Sequence, residues 1–265
     1  MYTKAELIKQ LEQMSLKHTD TILIHSSMKS IGEVEGGADT VLDAWQEYFA
    51  QGLLLLPTHT WANVNAQNPV YDPANTESCV GVLTNLFRKR EGVVRSLHPT
   101  HSMAAYGADA AEYVAGEEYC NTPCTPGGCY DRLRQRNGKI LLVGVGHERN
   151  TFIHSVEEVL NIPNRLADKP MELTVCMPDG SRHNIYMRKH YNAQQPHISE
   201  DFVKLNQAFL DCGVVEKVQF GDARCLLCDA NGVFEVTRHV LAPDPECLVT
   251  APHIPPERWQ EYGKQ

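Results

Sequence analysis

Three uninterrupted apolar runs narrow what this chain can fold into more than any other feature: TILIH at 21–25, GLLLLP at 52–57 and GKILLVGVG at 138–146. A strand with one wet face alternates apolar and polar residues, whereas a strand covered on both faces reads as a continuous apolar run. Between the first two runs, residues 38–49 carry Val41, Leu42, Trp45 and Phe49 at helical spacing, so one face of a helix is apolar. Strand, turn, helix and strand at this spacing make a βαβ unit, which predicts a parallel or mixed sheet with helices packed over it.

The flanking segments are consistent with that frame. Residues 3–14 place Leu7, Ile8 and Leu11 on one helical face behind Thr3, a residue suited to an N-cap. Residues 63–78, rich in Asn, Pro, Asp and Thr, read as a loop long enough to form a lid or a substrate wall. Helices are expected at 81–90, with Arg88, Lys89 and Arg90 on the last turn, at 108–114, after the Pro- and Gly-punctuated loop CNTPCTPGGCYDRL, and again before Pro163. Beyond Leu166 the texture alternates. MELTVCMPDGSRHNIYMRKH predicts a hairpin turning at Asp179-Gly180, FVKLNQAFLDCG a helix closed by Gly213, and ARCLLCDANGVFEVTRHVL a second hairpin around Asn231-Gly232. The expected fold is therefore α/β, a mixed central sheet flanked by helices with an additional β-rich C-terminal part. It is expected to form a single domain over 1–265, with the α/β part at about 1–166 and the β-rich part at about 167–250.

Composition excludes several functions. A net charge of −9 with scattered Lys and Arg offers no basic face for nucleic acid and suits a cationic small molecule or plain solubility. No uncharged apolar run reaches 18 residues, so no membrane span is expected. The N-terminus lacks a secretory h-region. Nine cysteines, an odd number without regular spacing, point to reduced thiols and a cytoplasmic location.

Three stretches carry candidate chemistry. HSSMKSIGEVEGG at 25–37 sets serines and glycines between a strand and a helix, where backbone N–H groups and hydroxyls can meet an anion; the same pattern describes an ordinary strand-to-helix turn. In NTFIHSVEE, His154 and Glu157 stand three apart on a helix, so the carboxylate can receive one imidazole N–H and leave the other nitrogen as a base; surface pairs share this spacing. VRSLHPTHSMAAYG brings His98 and His101 within three residues, which would serve a metal, proton movement or loop packing. Cys225 and Cys228 have CxxC spacing, but no second pair accompanies them and they fall where a strand is expected, so no metal site is assigned.

Taken in order, ILIHSSMKSIGEVEGGADTVLDA, LLLPTHT, VRSLHPTHSMAAYG and GKILLVGVGHERNTFIHSVEE resemble the aminoglycoside 3-N-acetyltransferase family across roughly residues 20–241. The resemblance implies a fold other than the GNAT fold and acetylation of an amine by acetyl-CoA. It assigns Ser26, Ser27, Ser30, Gly32 and Gly37, with Pro57, Thr58 and Ser102, to the cofactor crevice. His154, Glu157 and His98 fall on the reactive centre, with Arg95 and Ser102 on the same motif. One departure stands out: relatives carry a histidine shortly before a TPCG loop, where this chain has Glu117 or Glu118.

Acetylating an amine requires a base, because an ammonium has no lone pair with which to attack a thioester. The expected mechanism is direct transfer, with His154 oriented by Glu157 as the base and residues 98–102 supplying oxyanion contacts. Asp72, Glu117, Glu118, Glu158 and His101 are candidates for holding a cationic amine, and Glu77 is a further acid of this kind. The expected form is a monomer or homodimer. Competing readings are a catalytically weak CoA-binding homologue, an acetyltransferase with a non-aminoglycoside acceptor, and a metal-dependent hydrolase.

Overall fold

The computed structural model describes residues 1–262. Along the chain run α1 (Lys4–Glu12), β1 (Thr21–Ser26), α2 (Met28–Ile31), α3 (Ala38–Tyr48), β2 (Leu53–Pro57), β3 (Val70–Tyr71), α4 (Val82–Phe87), β4 (Val94–Arg95) and β5 (Met103–Gly107). Then follow α5 (Ala110–Val114), α6 (Cys129–Gln135), β6 (Lys139–Val143), α7 (Phe152–Val159), β7 (Met171–Cys176) and β8 (Arg182–Met187). The last elements used below are α8 (Asn206–Asp211), β9 (Val215–Phe220), β10 (Ala223–Asp229) and α9 (Ala230–Leu241). Thr3 caps α1 in a reciprocal box with Glu6, as its position predicts.

The three apolar runs lie side by side. The main sheet has the order β4-β5-β2-β1-β6-β10-β9, with β1 parallel to both β2 and β6 and the outer pairings antiparallel. Because side chains alternate along a strand, each run supplies two faces. Leu23, Leu53, Leu55, Ile140 and Leu142 pack with residues of α5 to α9 on one side. Ile22, Ile24, Leu54, Leu56 and Leu141 pack with α1, α3 and α4 on the other. All five residues of β2 are buried, which is why the run has no polar alternation.

The predicted hairpin at Asp179-Gly180 forms from β7 and β8, and Val70–Tyr71 of the 63–78 loop adds to it in parallel, giving a separate three-stranded sheet with its own small core. The segment expected as one helix over 202–213 is a 3-10 turn, Ile198–Leu205, running into α8, and Gly213 follows it with φ +68°.

The second predicted hairpin is wrong. Asn231-Gly232 lies in the first turn of α9, because the Asp229 side chain accepts the Gly232 N–H at 2.8 Å and caps a helix there. Val233, Val236 and Val240 then recur at helical spacing on a buried face. The hairpin that exists joins β9 to β10 at Gly221 (φ +58°), and β10 continues the main sheet beside β6. Cys225 and Cys228, an odd number of residues apart on β10, face opposite sides of that sheet and pack in different cores, so they cannot share a metal.

Candidate active site

The strands β1, β2 and β6 all end at one edge of the sheet. A cleft of about 930 Å³ opens there, walled by residues that follow those strands, by the small sheet and by the 3-10 turn. The carboxyl ends of parallel strands, where neighbouring connections diverge, are where open α/β sheets keep their ligands.

β6 leads through residues 147–151 into α7, whose buried face presents His154 and Glu157. His154 Nδ1 lies 3.1 Å from Glu157 Oε2, and Glu157 Oε1 accepts from Arg165 Nε at 2.6 Å. Both partners in that ion pair are almost wholly buried, and the guanidinium also reaches Glu246 at 3.2 Å. With Glu157 so paired, Nδ1–H donates to the carboxylate and Nε2 carries the lone pair. Burial, reinforced by neighbouring His190, lowers the His154 pKa to about 4, so the ring is uncharged near neutrality.

Further histidines share the wall. His25 follows the apolar core of β1; burial lowers it to about 3, and its Nε2 has no hydrogen-bond partner among the described residues. His59, just beyond β2, meets the Tyr130 hydroxyl at 2.6 Å. His101 and His190 complete the series, with burial holding His59 and His101 well below the ordinary imidazole range.

Of the residues singled out from the sequence, Ser26, Pro57, His101 and His154 line the cleft, and Glu157 stands directly behind His154. The others support it from behind or lie elsewhere. His98 is 1 % exposed; its Nδ1 accepts the N–H groups of Thr100 and His101, so Nε2 donates to the Thr122 carbonyl. Those two N–H groups are therefore held by His98 within the loop. Thr58 and Ser102 are fully buried, 2.9 Å apart, and tied down by Arg95. Ser30 bonds to Ser27 and to the Gly144 carbonyl behind the cleft. Gly32 (φ +86°) packs against Asp222, and Gly37 stands at the N-cap of α3.

The expected acidic set is not assembled. Asp72 caps its own loop through Ala74 and Asn75. Glu117 is buried and accepts the Cys129 N–H, while Glu118 lies beside it on a short turn away from the cleft. Glu158 stands behind His190, accepting its Nε2 at 2.7 Å and the Cys124 N–H at 2.9 Å. Among the described residues lining the cleft, Glu148 is the one carboxylate, against Arg149, Lys169 and Lys189.

Cys124, Glu158 and His190 bring their ligand atoms within 4.8 Å of one another, a juxtaposition that no spacing announces. His190 Nε2 is already bonded to Glu158, the Cys124 thiol donates to the Thr151 carbonyl at 3.9 Å, and burial raises that thiol well above its usual range. The cysteine is thus a protonated thiol.

Missed from the sequence were His25, His59, His190 and the cleft cations. His25 sits near the end of buried β1 and His59 just beyond buried β2, positions that could have flagged them; His190 reaches α7 only through tertiary packing.

The chain resembles known proteins along most of its length. A family model described as aminoglycoside 3-N-acetyltransferase matches residues 23–242. Aminoglycoside N(3)-acetyltransferase VII of Streptomyces paromomycinus is 28% identical over 262 residues, covering 88% of this chain and 89% of that one. Aminoglycoside N(3)-acetyltransferase IV of Salmonella sp is 29% identical over 163 residues, 61% of each chain. Among solved structures, aminoglycoside acetyltransferase AAC(3)-Xa superposes with a TM-score of 0.78 at 25% identity, over 88% of this chain and 90% of that one. AAC-IIIb, solved with CoASH, shares the fold with a TM-score of 0.76 at 22% identity, over 88% and 94%. The match of the family model to most of the chain makes this protein a member of the aminoglycoside 3-N-acetyltransferase family.

Proposed function

We propose that this protein transfers an acetyl group from acetyl-CoA directly to an amine held in the cleft, with His154 as general base. The observation that carries this reading is the buried Arg165–Glu157–His154 chain, which leaves an uncharged imidazole with Nε2 as its acceptor at the cleft wall.

The wall fits the cosubstrate. The unpartnered His25 Nε2 beside Ser26 and Pro57 is a buried hydrogen-bonding atom that an amide of the pantetheine arm would satisfy. Bound acetyl-CoA supplies an activated thioester carbonyl. His154 accepts the proton lost by the amine as nitrogen bonds to that carbon, and returns it to the sulfur as the C–S bond breaks. Thr151 lines the same cleft, and its hydroxyl is the donor assigned to the developing oxyanion. The cysteines support direct transfer over an acyl-cysteine intermediate: burial raises the thiols of Cys124 and of Cys79, which lines the cleft.

Relatives are named for aminoglycosides, so these are the first acceptors to assay. A second reading of the acceptor rests on the charge of the wall. One carboxylate against three cations favours an amine of low positive charge over a polycation. Release of CoA thiol from acetyl-CoA, measured with aminoglycosides and with singly charged and zwitterionic amines, separates the two. Loss of turnover in His154→Ala and Glu157→Ala is expected with any accepted amine; full activity in His154→Ala sinks the assignment of the base.

A further inference from the structure

Two consecutive carboxylates on α7 each hold an imidazole. Glu157 takes His154, and Glu158 takes His190, which arrives from the segment after β8. The two rings stack with centroids 3.9 Å apart and planes 24° from parallel, and Phe202 closes the other side of His154 edge-on at 4.7 Å. Both imidazoles line the cleft. The carboxylates differ in their other partners. Glu157 is shared with the buried Arg165, whereas the ion pairs of Glu158 among the described residues involve His190 alone.

We propose that His190, held by Glu158, is a positioning residue for the transfer step: it clamps the His154 ring toward the cleft, and a charge on it opposes protonation of the stacked His154 ring, which stays free to accept a proton from the amine. The inference rests on the reading of His154 as the base. The groups facing His154 are Glu157 and Glu158 on its own helix, His190 from beyond β8, His101 and His59 from the loops around β5 and β2, and Arg165 behind Glu157. Arg165 neutralises Glu157, whereas among the described residues a charge on His190 has the Glu158 carboxylate to itself. A second charge on a ring stacked at 3.9 Å in a buried wall is then opposed by repulsion. This adds to the burial that already lowers His154. A base that titrates below the working pH is in its accepting form.

The test is the titration of the His154 ring, followed by NMR of isotopically labelled histidine in the full chain, beside the pH profile of kcat/KM. His190→Gln removes the charge, and His190→Phe removes it while refilling the stack, which guards against loss of fold. In both variants the His154 midpoint is expected to rise by about one pH unit, and the acid limb of kcat/KM with it, making the variants about tenfold slower below both midpoints. A midpoint unmoved in both variants overturns the proposal, whatever happens to activity. A shifted midpoint in a protein that acetylates no amine supports the coupling and refutes the transfer reading alone.

Discussion

Arg165 is the residue whose loss is expected to cost most for its distance from the cleft. Its side chain is 2 % exposed, and it donates to Glu157 at 2.6 Å, to Glu246 at 3.2 Å and to the carbonyls of Pro163 and Pro245 at 3.1 Å. Arg165→Met fills similar volume but leaves Glu157, itself 1 % exposed, without its counter-ion. Breaking a buried pair from one side costs about 3–5 kcal/mol, because the remaining charge keeps its desolvation penalty. For a chain of this size each kcal/mol is about 2–4 °C, so a Tm lowered by about 6–20 °C is expected in thermal unfolding followed by circular dichroism at pH 7.5. The stranded carboxylate would also draw a proton onto His154, so residual kcat/KM should fall further at neutral pH than at pH 9. Glu157→Gln combined with Arg165→Met removes both charges, and most of the lost Tm should return, since a neutral pair bears no such penalty. A single variant melting within about 2 °C of the parent, or a double variant no better than the single, would refute this account of the chain behind His154.

Acid sensitivity should begin well above the carboxylate range. Burial lowers His25 to about 3 and His147 and His154 to about 4, so between pH 6.5 and those values the unfolded chain binds protons that the folded one does not. Stability should fall as pH drops through that window, by about 1.4 kcal/mol per pH unit for each ring; urea midpoints that stay flat from pH 8 to 5 would contradict it. Asp229→Ala removes the cap of α9 and should cost about 1 kcal/mol with turnover unchanged. Asp229→Asn, which keeps a capping oxygen, should melt with the parent, and equal loss in both would show that the cap is not the cause.

What the sequence disclosed and what it hid divide along a physical line. The apolar runs and the face of α3 were legible because burial of a periodic pattern is a local property, readable within a dozen residues. Asn231-Gly232 misled because an Asn-Gly pair is a strong turn signal in isolation, and Asp229 two residues earlier turned the same atoms into a helix start.

Polar residues in loops carry no such local mark of direction. In the segment Arg95 to Ser102, Arg95, His98 and Ser102 point inward to hold the loop, while His101, one residue from Ser102, faces the cleft. Chemistry-bearing residue types were thus found in the right stretch, but mostly as the frame of the site. Gly32 shows the same: a Cβ there would lie 2.1 Å from an Asp222 oxygen at a φ of +86°, so packing alone explains the glycine that the family resemblance assigned to the cofactor. Two of the three wall cations, Lys169 and Lys189, flank the β7–β8 hairpin outside every motif quoted for the resemblance. A motif set that reports the frame can therefore place a chain in its family and still leave its acceptor to be read from the cleft wall.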